Sequence, residues 1–374
     1  MIPITRPSIG REEADAAADA VLSGWLSQGP RVQAFEQLLA DYTGSRFAVA
    51  TSNCTTALHL ALLAAGVGPG DEVICPSFSF IATANAVLHT GATPVFVDID
   101  PRTYNIDASL IEGVITARTK AIIPVDQIGL AADIPAVVEI AHRHGLRVVE
   151  DAAPSLGAMV GEARIGSLAD FTCFSFHPRK SITTGEGGAI LTNDEAAAQR
   201  LRSVRSHGAS TSDLARHQSG TIDIEEYREL GFNYRMTDVQ AAIGCVQMRR
   251  LDEILAARRS LALRYDERFA ADRRVTTPFV PAGHSHTYQS YCVRLEASRP
   301  RADIMRELAS QGIATRRGVM AIHLEPFYRS RFPNVCLPVT ESATANTLLL
   351  PLYAGMTDDE QDQVVSALTA ALGR

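Results

Sequence analysis

The sequence predicts an α/β protein, with a large domain built on a mostly parallel sheet over residues 1–246 and a smaller α+β domain over residues 247–374. Three observations carry this expectation. Over the first two thirds, apolar runs of strand length alternate with segments of helical period, the pattern of βαβ units whose strands are covered on both faces. Gly and Pro punctuate the joins. From about Val239 the pattern changes to a long, Arg-rich helical segment followed by one clear strand between helices. The length of 374 residues suits two domains, at roughly 150 residues per domain.

The elements follow in order. Arg11–Leu22 and Val32–Tyr42 carry apolar residues at helical spacing. FAVAT at 47–51 reads as a buried strand that feeds a helix over Thr55–Ala65. The run from Gly66 to Gly70 ends that helix, because glycine accepts the positive φ of a C-cap and Pro69 cannot continue the turn. Strands at Glu72–Cys75 and Pro94–Val97 flank a helix near Ile81–Thr90. A strand at Ala121–Val125, a helix at Ile134–His144 and a strand at Arg147–Val149 running into Glu150 and Asp151 complete the run. Phe171–Ser175 and Ala189–Leu191 lie close together across a glycine-rich loop, which predicts a local antiparallel pair. Ser206–Glu225 is polar and without period, a long surface loop of the kind that borders a site. One helix from Thr237 to Leu263 or beyond links the domains, and Tyr288–Leu295 (strand), Ala302–Gln311 (helix) and Asp358–Leu372 (terminal helix) follow.

Composition narrows the function. Hydrophobic residues at 46% and charged residues at 21% are those of a globular chain, not a disordered or fibrous one. With 35 Lys and Arg against 42 Asp and Glu, the net charge of −7 disfavours a nucleic-acid or anionic-membrane partner. No apolar run reaches the 18 or so residues a bilayer span needs, and the N-terminal MIPITRPSIGREE has no secretory pattern, so a cytoplasmic enzyme is expected. Six scattered cysteines without a C-x-x-C pair predict reduced thiols, with neither a disulfide scaffold nor a zinc site. The His142/His144 and His284/His286 pairs lack neighbouring ligands and read as solvated or capping, so no metal is expected.

Three segments carry chemistry, and in an open parallel sheet the carboxyl ends of the strands would gather them. SNCTTALHL after the first strand offers helix-start N–H groups and the hydroxyls of Thr55 and Thr56 to a phosphate, although a plain N-cap explains the same residues. Asp151 ends an apolar strand. A buried carboxylate there needs a cationic partner such as a protonated ring nitrogen, or else serves as an N-cap. The most specific segment is DFTCFSFHPRKSITTGEGGAILTND, in which Lys180 sits between two apolar strands beside Gly185, Gly187 and Gly188. A partly desolvated lysine in such a frame acts as a nucleophile toward carbonyls.

SFHPRK ending at Lys180, TTGEGGAILTND, EDAAPSLGA around Asp151 and GFNYRMTDVQAAIG at 231–244 resemble the DegT/DnrJ/EryC1/StrS family of pyridoxal-phosphate enzymes. These are fold-type-I aminotransferases that act mostly on nucleotide-linked keto sugars. The likeness runs from GWLSQGPRVQAFE at 24–36 to HLEPFY at 323–328. It implies Lys180 as the Schiff-base lysine, Asp151 on the pyridine nitrogen and Phe80 on the ring face, with Thr55, Thr56 and Ser175 holding the phosphate. Asn233 would reach the cofactor of a second subunit, implying a homodimer with shared active sites. Trp25, His323 and Arg235 would stand near the sugar, and Arg316 and Arg317 are further candidates for anion contacts. Two positions depart from the family: Pro154 stands where many members carry a polar residue near the cofactor's phenolic oxygen, and Cys54 where Gly or Ala is common.

The activity implied is transfer of an amino group from glutamate or glutamine to a nucleotide-linked deoxysugar, with a 4-keto acceptor favoured over a 3-keto one. The alternatives are a keto-cyclitol or other non-nucleotide ketone as acceptor, a pyridoxal-phosphate dehydratase, or a regulator of the same family. The dehydratases carry His at the Schiff-base position, and Lys180 speaks against that reading.

Overall fold

The computed structural model describes residues 1–211, 214, 225–296 and 299–373. Most of the expected loop Ser206–Glu225 therefore lies outside the described residues.

The large sheet is assembled from β1 (Phe47–Thr51), β2 (Glu72–Pro76), β3 (Thr93–Val97), β4 (Thr119–Ile122), β5 (Arg147–Asp151), β8 (Phe171–Ser175) and β9 (Gly188–Thr192). Their order is β1-β9-β8-β5-β4-β2-β3. The β3-β2-β4-β5-β8 run is parallel, and β9 lies antiparallel to both β1 and β8. The expected local reversal is thus real and has a consequence for the site. Gly188, the first residue of β9, pairs with Thr51 and Ser175, the last residues of β1 and β8. One edge of the sheet collects the ends of the parallel strands and the start of β9.

Side chains alternate across each strand, so the two faces build separate cores. On one face Ile74, Ile122, Val148, Phe174 and Leu191 meet α2 (Pro30–Thr43), α5 (Ile134–Arg143) and α7 (Asp238–Arg249). On the other, Val73, Cys75, Ala121, Val149 and Cys173 meet α3 (Cys54–Ala64), α4 (Ala82–His89) and α6 (Glu195–Val204). The short strands β6 (Met159–Val160), β7 (Ala163–Arg164) and β11 (His284–Ser285) form a three-stranded patch.

The C-terminal region holds an antiparallel sheet of β10 (Val275–Thr276), β12 (Tyr291–Leu295), β14 (Thr347–Leu350) and β13 (Arg316–Arg317), in that order. With the terminal helix Asp358–Leu372 it forms a third core, which also takes in Ile2. The first residues of the chain belong here: Ile2 bridges Ile313, and the Leu352 N–H donates to the Ile4 carbonyl at 3.1 Å. The expected boundary at residue 246 falls inside α7. The single helix expected over 237–263 is two, α7 and α8 (Leu251–Phe269), separated at Arg250 with φ −102° and ψ 0°. The Arg250 guanidinium is held by Glu13 and Ser8 on the N-terminal segment, which fixes the point where the chain turns.

Candidate active site

The shared edge of the sheet opens into a cavity of about 830 Å³. Its wall includes Thr55, Thr56, Phe80, Asp151, Ser175 and Lys180 together.

One stretch of the wall is the start of α3. Asn53 caps the helix with its side-chain oxygen on the Thr56 N–H at 2.9 Å, and Thr56 Oγ1 donates back to the Asn53 carbonyl at 2.7 Å. The amides of Cys54 and Thr55 are left at the positive end of the helix, where an anion satisfies them. Gly188 is required here by close approach, since a Cβ would stand 2.5 Å from the Asn53 carbonyl carbon. The β9 backbone thereby packs against the cap and closes the end of the cavity.

Lys180 is presented by a tight turn after β8, with its N–H on the His177 carbonyl at 2.8 Å. The turn is braced by Thr184 N–H on the Phe176 carbonyl at 3.0 Å and Phe176 N–H on the Gly187 carbonyl at 2.9 Å. Burial lowers the Lys180 pKa; Cys54 and Asp151 act in the opposite direction, and Arg179 adds to the lowering. The result is an amine drawn toward its neutral, nucleophilic form.

Asp151, 5% exposed, ends β5. It accepts from Thr83 Oγ1 at 2.7 Å and from the Ala153 N–H at 3.3 Å. Burial raises its pKa, against the opposing effects of the Thr83 hydrogen bond and the Lys180 charge. A buried carboxyl in this state is completed by a cation opposite it. Phe80 is 63% exposed although it lies on the cavity wall, an apolar face without a cover.

The other expected residues stand elsewhere. Asn233 is exposed and bridges Ser206 outside the cavity wall of its own chain, and Arg235 is also absent from that wall. Trp25 packs over Gly29, where a Cβ would lie 1.7 Å from its indole nitrogen. The turn is anchored by Asp238, wholly buried, which accepts from the N–H groups of Gly29, Arg31 and Val32 at 2.8–3.1 Å. His323, 1% exposed, is held between Ser77 (2.7 Å) and Glu341 (3.3 Å), away from the cavity wall. Sequence reasoning missed Thr83, Gln127 and Arg179. Thr83 ends the segment PSFSFIAT at 76–83, three residues after Phe80, and Arg179 directly precedes Lys180; Gln127 gives no sequence signal.

Of the paired histidines, His286 is buried and accepts the Tyr288 N–H at 2.8 Å, with burial holding its pKa down to about 3, while His144 contacts Glu112 at 2.9 Å. All six cysteines are free. No helix among the described residues is long and apolar enough to cross a membrane.

Residues 7–369 match the DegT/DnrJ/EryC1/StrS aminotransferase family. The chain belongs to this family. It is 42% identical to the GDP-perosamine synthase of Caulobacter vibrioides, over 99% of this chain and 98% of the relative. It is 39% identical to the spore coat polysaccharide biosynthesis protein SpsC of Bacillus subtilis, over 98% of this chain and 96% of the relative. The structure superposes on the putative sugar aminotransferase Spr1654 of Streptococcus pneumoniae, solved in its PMP form, with a TM-score of 0.93 at 30% identity, covering 100% of this chain and 99% of that one. The protein is therefore an aminotransferase of fold type I that uses pyridoxal phosphate.

The residues present fit that cofactor. An open helix N-terminus, a buried carboxyl with no ion pair among the described residues, a desolvated amine and an uncovered aromatic face all border one cavity.

Proposed function

We propose that this aminotransferase moves an amino group from glutamate or glutamine to the keto group of a nucleotide-linked deoxysugar, with a 4-keto acceptor preferred. The observation that carries the reading is Lys180 and Asp151 facing one cavity at the carboxyl edge of the sheet. Similarity over nearly the whole chain to a GDP-perosamine synthase supports the acceptor class.

Pyridoxal phosphate, when bound, supplies the electron-withdrawing ring and the carbon that carries nitrogen from donor to acceptor. The amides at the start of α3, with Thr55, Thr56 and Ser175, hold its phosphate. Asp151 holds a proton on the pyridine nitrogen, and Thr83 Oγ1 keeps the Asp151 carboxylate aimed. Phe80 covers one ring face and excludes water from it. Lys180 would hold the cofactor through its amine, and its Nζ, when free, would take a proton from the donor's α-carbon and return one, as general base and acid. Pro154 lines the cavity without a side-chain donor, and its carbonyl accepts from Thr287 Oγ1 at 2.9 Å.

Asn233, exposed outside its own cavity, serves the cofactor phosphate of a second copy, which makes the working unit a homodimer in the cytoplasm. Mixing Asn233→Ala subunits with Lys180→Ala subunits tests this: each alone is weak or dead, and the mixture regains up to about a quarter of wild-type turnover if sites are shared. No recovery contradicts sharing.

The acceptor reading is tested by loading the holoprotein with glutamate or glutamine, following the cofactor's absorbance, and then offering GDP-, dTDP- and UDP-linked 4-keto and 3-keto deoxysugars beside keto-cyclitols. Amination of a 4-keto nucleotide sugar supports the proposal. Turnover of cyclitol ketones alone overturns it.

A further inference from the structure

The cavity wall carries two guanidiniums that the transfer chemistry leaves unused. Arg179, from the turn that presents Lys180, and Arg316, from β13 of the C-terminal sheet, line the same cavity and are both exposed. The two come from different parts of the chain. Arg316 is placed by backbone pairing of β13 with Leu349 on β14, and the Arg179 backbone by Gln289, whose Nε2 donates to the Arg179 carbonyl at 2.6 Å.

Neither guanidinium has a carboxylate partner among the described residues. The contrast with neighbouring arginines is direct: Arg317 donates to Glu325 at 3.0 Å, and Arg205 and Arg250 are held by Glu36 and Glu13. The Arg316 charge also opposes the Arg179 charge across the cavity and, after burial, helps to lower the Arg179 pKa. Of the acids on this wall, Glu186 acts on His177 and Asp151 on Lys180. Two unpaired guanidiniums that repel one another are held facing the same space, an arrangement favoured when an oxyanion sits between them.

We infer that Arg179 and Arg316 form a two-guanidinium clamp for the diphosphate of the nucleotide-linked acceptor. The inference rests on the acceptor class proposed above and deepens it by naming the residues that read the nucleotide side. Position decides between the two oxyanion sources. The donor's α-carboxylate is attached to the carbon that loses its nitrogen, so it must lie at the buried Lys180 end. A diphosphate on the sugar's anomeric carbon lies across the ring from a 4-keto group, and Arg179 and Arg316 are exposed where the Lys180 amine is desolvated. A cavity of about 830 Å³ lies toward the upper part of the range for small-molecule sites, about 300–1,000 Å³, and leaves room for both.

The test uses the holoprotein and ligands that do not react. Calorimetric titration with inorganic pyrophosphate, GDP, UDP and dTDP should give binding to the wild type that weakens with salt. Arg179→Gln and Arg316→Gln should each raise Kd about tenfold, roughly the value of one charge-assisted hydrogen-bonded contact. The double variant should raise the diphosphate Kd at least tenfold more than it raises the glutamate midpoint, read from the cofactor's absorbance. Arg179→Lys should recover part of the loss. Unchanged cofactor absorbance and melting temperature show that the variants are folded. Diphosphate binding that survives the double substitution overturns the clamp alone, as does a rise confined to the glutamate midpoint. A wild type that binds no diphosphate overturns the clamp together with the acceptor class.

Discussion

Glu150 and Asp151 are consecutive on β5 and both buried, yet the two faces of the strand give them different work. Asp151 looks into the cavity, toward Thr83 and the Lys180 charge. Glu150 looks into the opposite core, where Thr172 donates to it at 2.7 Å. Its nearest acid is Asp126, itself held by Ser155 and the Ala132 N–H. Burial raises the pKa of all three carboxyls. The difference lies in what relieves that burial. A carboxyl facing a cavity and a cation is kept ready for a charged ligand, whereas two carboxyls facing each other keep a proton and serve only the core. Burial alone therefore does not mark the functional acid; the face of the strand does.

The strongest break of this contrast is at the cavity. Lys180→Ala should abolish turnover, to below about one part in ten thousand, while the melting temperature changes little, since the side chain lines the cavity. Asp151→Asn should retain the cofactor and lose about 10²–10³-fold in turnover, because an amide cannot hold the ring proton by charge. Near-normal turnover would mean that this face is no different from the other. Thr83→Val keeps the shape and removes one donor to Asp151. The hydrogen bond favours the ionised carboxyl, so its loss should raise the Asp151 pKa, move the acid limb of the activity profile to higher pH and cost about 3–10-fold in turnover.

The smallest effect belongs to the opposite face. Asp126 is raised to about 7, chiefly by burial. Between the ordinary carboxylate range and pH 7 the unfolded chain has released this proton and the folded chain keeps it, so stability falls as pH rises through that window. The slope is about 1.4 kcal/mol per pH unit at most. Asp126→Asn should flatten the dependence in denaturant titrations between pH 5 and 7 and leave turnover within about threefold. An unchanged slope would show that Asp126 does not hold that proton.

Much of this site was legible in the chain. The strands of the large sheet are short apolar runs, and the site residues end them or follow within a few positions, so topology brings Thr55, Asp151, Ser175 and Lys180 to one edge. What escaped depends on distant pairing. β13 is two arginines, with no apolar signal, and exists because β14 pairs with it. The break at Arg250 is fixed by Glu13 and Ser8, more than two hundred residues away. Asp126 and Glu150 read as ordinary acids until the sheet sets them side by side on its far face. His323 reads as a site residue from its motif, and the fold locks it between Ser77 and Glu341.

The most direct test of the central claim exploits composition: the chain has two lysines, Lys120 and Lys180. Borohydride reduction of the holoprotein, followed by digestion and mass spectrometry, should place one cofactor mass on the Lys180 peptide and none on the exposed Lys120. A label on Lys120, or an unlabelled Lys180 in protein that has retained its cofactor, would contradict the account.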